Sequence, residues 1–211
     1  EQPRFTGNLA WRMTVPLDRL KAPPPPTACV WAGRGRHAVT YRLRGGALAN
    51  LVVIVERSDW TGESWTESGT RDDALSDFSG WVPQVTEIIE KADSLFRWAL
   101  FDRASLPRWH DGAVALLGDA CHPMLPFMAQ GAAMAIEDAW ILAQAQQASD
   151  SVERGLALYE ARRKPRASQV QAASRANMKT FHRRSPAMRL ATYGPMWLAN
   201  RAVPGFVQSR Q

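Results

Sequence analysis

The segment from Leu116 to Ala132 gathers more groups able to meet a ligand than any other part of the chain. Ala113–Leu117 is a short apolar run bounded by Gly112 and Gly118, which reads as a buried, parallel strand. Asp119 then stands at the C-terminal tip of that strand, where ligands of α/β sheets bind, with its carboxylate set to accept from a ligand hydroxyl. Gly131 opens an alanine-rich helical pattern running to Gln147. The first N–H groups of such a helix have no intrahelical partner and carry a partial positive charge of about half a unit. That tip suits an anion or an electron-rich heterocycle. Pro123 and Pro126 stiffen the loop between, and Gly131 permits close backbone approach. The chemistry on offer is an acceptor and a set of positive donors converging on one ligand.

A second constellation is His37 and Tyr41. Four residues apart on a strand, they point to one face of its sheet. If that face lines a pocket, His37 can accept a phenol proton while Tyr41 hydrogen-bonds the same molecule, with Gln130 as a third polar contact. For each, the plainer alternative is a surface or structural polar residue. Gly33-Arg34-Gly35-Arg36-His37-Ala38 formally fits a dinucleotide fingerprint, but no helical pattern follows, so it reads as a hairpin turn. His122 reads as structural, since Cys121 alone stands near it with ligand chemistry, and no metal is expected. His110 and His182 are expected on the surface, and Cys121 is explained by small size.

The elements that position these groups alternate in character along the chain. Trp11–Val15 reads as a strand ended by Pro16, and Pro23 to Pro26 as a stiff surface connection. Val30–Ala32, His37–Leu43 and Leu48–Glu56 are β-rich runs separated by glycine turns, the pattern of antiparallel hairpins. Thr61–Gly69 reads as loop, Arg71–Phe78 and Val85–Ala92 as helices, and Phe96–Phe101 as a further strand. Gly131–Gln147, with apolar residues on most faces, is expected to be largely buried. Val152–Thr180 is a long helical pattern that Pro165 should kink or split, Pro186–Asn200 a last helix, and the final ten residues frayed. The division expected is 1–110 for a sheet with helices, 111–148 for the strand, loop and helix, and 149–211 for C-terminal helices.

Composition narrows the class. Hydrophobic residues make up 45% and charged residues 22%, an ordinary globular balance, while nine tryptophans suit a core or pocket built from large rings. The net charge of +6 raises the possibility of a nucleic-acid binder. Its late cations, among them Arg162, Arg163, Arg166, Arg175 and Arg184, spread along helical segments as a solvated face, and no nucleic-acid motif accompanies them. A basic surface equally attracts anionic substrates. Two distant cysteines, no apolar run of membrane-spanning length and no signal peptide make a cytoplasmic protein the default.

The run Leu116 to Ala132 closely resembles the second flavin-binding motif of class A flavoprotein aromatic hydroxylases of the salicylate and 3-hydroxybenzoate 6-hydroxylase type. The likeness extends through Phe5-Thr6-Gly7, Ala10-Trp11-Arg12, Gly35-Arg36-His37, Arg44-Gly45-Gly46, Trp109–Gly112, Ile136–Ala139 and Tyr159–Arg163 with Arg166, covering about Phe5 to His182. The resemblance implies FAD as cofactor, with Gly118, Asp119, Pro126, Gln130, Gly131 and Ala132 as its contacts and Asp119 on the ribityl chain. It implies His37 and Tyr41 around the substrate ring, with Gln130 at the mouth of the loop as the further polar contact, and NAD(P)H as electron donor for hydroxylating a phenolic or aromatic carboxylate substrate with O2. The fold implied is mixed α and β: an antiparallel substrate-domain sheet, the C-terminal part of an α/β FAD-binding domain, and C-terminal helices. The Rossmann-like N-terminal half is absent from the matched region, so a complementing half is an expected partner, and an oligomer is open. The alternative is a truncated, non-catalytic remnant that binds an aromatic ligand or a partner chain.

Overall fold

The computed structural model describes residues 2–58 and 67–202, and the chain separates into two compact units. The first comprises Glu1–Asn8, Ser58–Ser64 and Ala99–Lys179; the second comprises Leu9–Arg57, Trp65–Trp98 and Thr180–Gln211. A six-stranded sheet of order β2-β3-β4-β1-β6-β5 is formed by β1 (Arg4–Pro16), β2 (Cys29–Gly33), β3 (Arg36–Leu43), β4 (Leu48–Glu56), β5 (Glu67–Ser68) and β6 (Phe96–Asp102). The fold is mixed α and β, as read from the sequence.

In the second unit the hairpins follow from turn chemistry. Gly33 pairs with Arg36, so β2 and β3 are joined by Arg34-Gly35 alone, with Gly35 at φ +66°. A Cβ on Gly35 would also press on the Glu56 carboxylate. Arg36–Leu43 runs antiparallel to β4, with His37 opposite Ile54 and Tyr41 opposite Asn50. The supposed dinucleotide fingerprint is therefore a hairpin. Along β1, Trp11, Met13 and Val15 are buried while Arg12 and Thr14 are exposed, the two-residue alternation of a sheet with one covered face. Helices α1 (Arg71–Asp77) and α2 (Pro83–Lys91) supply Ala74, Val85, Ile88 and Ile89 to that unit's core. Trp11 donates its indole N–H to Asp77 at 3.0 Å, which satisfies the one polar atom of a fully buried ring. Helix α5 (Pro186–Ala202) has the expected start. Part of the expected loop 61–69, and the frayed end beyond 202, lie outside the described residues; Glu67–Ser68 pairs as β5.

The first unit departs from expectation at two points. Ala113–Leu117 is not a buried parallel strand. Only Val114–Ala115 (β8) is extended and paired, antiparallel to His110–Asp111 (β7), across a turn with Gly112 at φ +54°. Val114 is 68% exposed. A strand with no parallel neighbour beside it among the described residues meets its backbone needs by folding onto the segment just before it. The second departure is α3 (Gly131–Gln147). It forms where read, but only Met134, Asp138 and Ala145 are buried, and Ile136 and Trp140 are 71% and 66% exposed. The near-uniform apolar pattern promised burial on most faces; the elements present cover one.

Helix α4 (Val152–Phe181) continues through Pro165 as one element instead of splitting. Anchors on both sides explain this. Tyr159 and Ala167 pack with Trp109, Cys121 and Ala145 in the unit's core, so either half would lose buried contacts by swinging away. Exposure on α3 makes a direct prediction. Ile136→Lys with Trp140→Glu should change the unfolding free energy by no more than about 0.5 kcal/mol, whereas Met134→Ala should cost about 2–5 kcal/mol. Urea titration of both variants checks the contrast.

Candidate flavin site

The loop between β8 and α3 is built around a buried carboxylate. Gly118, at φ +60°, turns the chain where a Cβ would meet that of Ala135 at 3.1 Å. Its N–H donates to Asp138 Oδ2 at 2.9 Å, and the same oxygen lies 2.6 Å from His122 Nε2. Arg163 of α4 donates Nε–H to Asp138 Oδ1 at 2.7 Å, and bonds Glu137 and the Met134 carbonyl as well. Glu137 is in turn held by a two-point pair with Arg166 at 2.6 and 2.7 Å. Burial opposes charge on His122, but its bond to Asp138, with a smaller contribution from Cys121, outweighs that and raises its pKa to about 9. Burial likewise opposes charge on Asp138, yet His122, Arg163 and the Gly118 amide hold its carboxyl below the usual range. The Trp109 ring lies between His122 and Tyr159, at centroid distances of 5.1 and 6.0 Å.

Cys121, His122 and Asp138 have ligand atoms within 4.8 Å of one another, a donor set that could hold a metal ion. Both carboxylate oxygens are already engaged, however, and a guanidinium 2.7 Å from one of them opposes a second cation. The cluster is an ion-pair network in which His122 bonds Asp138. Two other histidines are not where they were expected. His110 bonds Glu160 at 2.8 Å in a partly covered site, and His182 is buried, with Nε2 2.8 Å from His37 Nδ1. Sequence spacing gave no sign of either contact, because the partners lie 50 and 145 residues away.

With the network as its base, the loop offers its functional groups outward. Asp119 is exposed. A Cβ built on Gly131 would stand 3.8 Å from Asp119 Oδ1, so the carboxylate adjoins the first residue of α3. Gln130, half-buried at the N-cap, makes no side-chain cap, and the first intrahelical bond runs from Met134 N–H to its carbonyl. The amides of Gly131 and Ala132 thus belong to the unpaired donors of a helix start. Pro126 opens a 3-10 turn to Met128 that ends in Ala129 at φ +53°, a left-handed conformation that strains a residue with a Cβ. His37 and Tyr41 belong to the other unit. His37 is 1% exposed and packs on Phe181 at a ring distance of 5.1 Å, while Tyr41 is half-buried on the same strand.

One set of loop-fixing residues escaped the sequence reading. Gln171, Ser174 and Asn177 donate to the carbonyls of Pro123, Leu125 and Phe127 at 2.8, 2.6 and 3.4 Å. Steps of three along a helix put the donors on one face, where they meet two carbonyls of the stretch before Pro126 and one of the 3-10 turn that follows it. The signal available was that periodic row of small polar residues late in α4.

The comparisons with known proteins bear on this geometry. An FAD binding domain model matches residues 43–174. The chain belongs to this FAD binding domain family. It is 42% identical over 184 residues to 6-hydroxynicotinate 3-monooxygenase of Pseudomonas fluorescens, covering 84% of itself and 47% of that protein. It is 36% identical over 190 residues to 3-hydroxybenzoate 6-hydroxylase of Klebsiella oxytoca, covering 86% of itself and 46% of the relative. The chain therefore spans about half the length of the curated relatives it matches. Among solved structures, Klebsiella pneumoniae HpxO complexed with FAD and uric acid superposes with a TM-score of 0.80 at 26% identity, over 97% of this chain and 52% of that one. A salicylate hydroxylase substrate complex gives 0.74 at 26% identity, over 95% and 55%. FAD is the cofactor of this family, and the uncapped helix start beside an exposed carboxylate offers donors and an acceptor of the kind a flavin can engage.

Two predictions come from this site. Ser174→Ala should cost about 1 kcal/mol of stability and Gln171→Ala a similar amount, since each leaves a covered loop carbonyl without its donor; chemical denaturation measures both. His122 has a folded-state pKa near 9 against an ordinary value near 6.5, so its contribution is complete below about pH 6.5 and is lost as pH rises through 9. Unfolding free energy should fall by up to roughly 3 kcal/mol between pH 6.5 and 9.5, and His122→Gln should flatten that slope.

Proposed function

We propose that this chain forms the substrate sheet and flavin loop of an NAD(P)H-dependent FAD monooxygenase acting on a phenolic or aromatic carboxylate ring. The observation that carries the reading is Asp119 Oδ1 adjoining the uncapped start of α3 at Gly131. Asp119 would accept from the ribityl hydroxyls, while the Gly131 and Ala132 amides would donate to the electron-rich edge of the ring system. Gly118 and Pro126 would hold the loop in shape, and Gln130 would meet the substrate or the flavin at the helix tip. The bound flavin would supply the oxygen transfer, in which one atom of O2 enters the ring, the other leaves as water, and NAD(P)H is oxidised.

His37 and Tyr41 would orient the ring and take its phenolic proton. Burial, and to a lesser degree the neighbouring His182, lower the His37 pKa to about 3, so the imidazole is neutral and able to accept at neutral pH. A phenol near pKa 10 gives up its proton to such a base uphill by roughly 9 kcal/mol, so His37 acts as a transfer point and not as a store. In the same unit, a cleft of about 940 Å³ is lined by Phe181, the ring that His37 packs on, together with Arg34, Arg36, Arg189, Trp31 and Trp81. Guanidinium groups among flat rings are the chemistry that attracts an aromatic carboxylate.

The exposed apolar residues Val114, Leu116, Leu117, Ile136 and Trp140 support association with the remaining part of a flavin domain, in the same polypeptide or another. Two free cysteines agree with a cytoplasmic setting. The same apolar surface favours one alternative, a non-catalytic remnant that binds an aromatic ligand or a partner chain. FAD titration, followed by the quenching of flavin fluorescence, separates the two. The monooxygenase reading expects saturable binding that Asp119→Ala weakens by about tenfold or more, and NAD(P)H oxidation stimulated by an aromatic carboxylate once the rest of the flavin domain is supplied. Identical FAD affinity in the chain and in Asp119→Ala would overturn it.

A further inference from the structure

The cleft of the second unit has aromatic walls that are fixed before any ligand arrives. It measures about 940 Å³ and lies among the β2–β3 hairpin, the turn ahead of α2 and the first turns of α5. Trp31 donates its indole N–H to Thr40 Oγ1 at 3.1 Å, and Tyr193 donates its hydroxyl to the Thr180 carbonyl at 2.7 Å. Trp81 meets the Phe78 ring edge-on at 4.9 Å. It also lies so close over Gly33 that a Cβ there would stand 2.5 Å from it. Rings held in this way receive a ligand with little further loss of side-chain freedom.

The charge in the cleft is of one sign. Arg34, Arg36 and Arg189 share the lining, which holds no Asp or Glu among the described residues. The carboxylates beside the hairpin are engaged elsewhere, Glu56 with Arg184 and Asp77 with Arg57. Arg36 donates to the main-chain carbonyl of Asp77, which positions the guanidinium and leaves its charge uncancelled. Neither Arg34 nor Arg189 has an acidic partner among the described residues. One carboxylate occupies the fork of one guanidinium. Three uncancelled cations around apolar walls call for a ligand with more than one negative charge. The volume points the same way, since small-molecule sites run from about 300 to 1,000 Å³ and a single ring needs only the low end.

We propose that this cleft is a nucleotide site, in which a base stacks among Trp31, Trp81 and Tyr193 and the phosphates bond Arg34, Arg36 and Arg189. Every base has a π face, so aromatic side chains receive one by stacking. Guanidinium forks match phosphate oxygens as they match carboxylates, and a diphosphate offers enough acceptors for several of them. The proposal deepens the reading of this cleft as one that draws aromatic anions, and rests on it. Two sources supply the required chemistry, a free adenine nucleotide and the adenosine diphosphate part of the nicotinamide donor. No bond forms or breaks here; the cleft binds and orients.

The test is titration calorimetry of the 211-residue chain, without flavin, using ADP, NADH, NADPH, inorganic pyrophosphate and benzoate as probes. ADP should bind once per chain, about tenfold or more tightly than pyrophosphate, which lacks a ring, and than benzoate, which carries one charge. Added salt should weaken it. Arg34→Ala with Arg189→Ala should weaken ADP about tenfold or more while the unfolding transition stays in place, because neither side chain has an acidic partner to lose. Asp119→Ala, in the other unit, should leave ADP affinity unchanged, which separates this site from the flavin loop. NADH or NADPH binding more tightly than ADP assigns the cleft to the nicotinamide donor; affinities no greater than that of ADP assign it to adenine nucleotides at large. A second measurement needs no variant: with nitrogen-15 in the indoles, ADP should shift the N–H signals of both Trp31 and Trp81. Absence of saturable ADP binding, pyrophosphate binding as tightly as ADP, unchanged affinity in the double variant, or unmoved Trp31 and Trp81 signals would each overturn the proposal. Benzoate binding without ADP binding would overturn it too, yet leave the aromatic-carboxylate reading standing, so the two failures are told apart.

Discussion

Asp138 holds the first unit together. A carboxylate at 0% exposure is costly unless its charge is fully answered, and here three groups from three parts of the chain answer it. The Gly118 amide comes from the turn that leads out of β8, His122 from the loop, Arg163 from α4, and Asp138 itself from α3. Removing any one would leave charge buried without its partner, a loss of about 3–5 kcal/mol for a pair of this kind. The strand tip, the loop and both helices are therefore fixed to one point. Asp119 and Gly131 are displayed from that fixed frame, one on each side of the loop.

The clamp from α4 adds a second level of constraint. Gln171, Ser174 and Asn177 take up three loop carbonyls on one side, which turns the intervening backbone to a single orientation. A flavin-binding loop profits from such bracing, because donors aimed in advance need no reorganisation when a ligand arrives. Ala129 in a left-handed conformation is what the loop bears for entering α3 from that angle.

Much of this was legible in the residues. The β2–β3–β4 meander, the two short helices after it, and the strand-loop-helix order around Asp119 followed from alternation, turn glycines and helical spacing. The motif from Gly118 to Ala132 named the cofactor class by resemblance, and the family match over residues 43–174 agrees. Reading failed where burial depended on neighbours. Ala113–Leu117 looked like an interior strand because its residues are apolar, yet a run of apolar side chains states a preference and not the presence of strands to satisfy it. The same holds for α3, whose apolar faces outnumber the elements available to cover them.

The histidines mark the boundary most clearly. From the sequence alone, His37 and Tyr41 share a strand face and glycine starts the helix after the loop, whereas Asp119, expected at a strand tip, lies in a 3-10 turn, Gly118–Ala120, beyond the short β8; the first two are consequences of local geometry and chain order. Only the tertiary structure decided that His182 is buried against His37, that Asp138 gathers Gly118, His122 and Arg163, and that α4 grips the loop. Such contacts join residues 16 to 145 positions apart, and nothing in local propensity encodes a pairing that forms only once distant elements are packed.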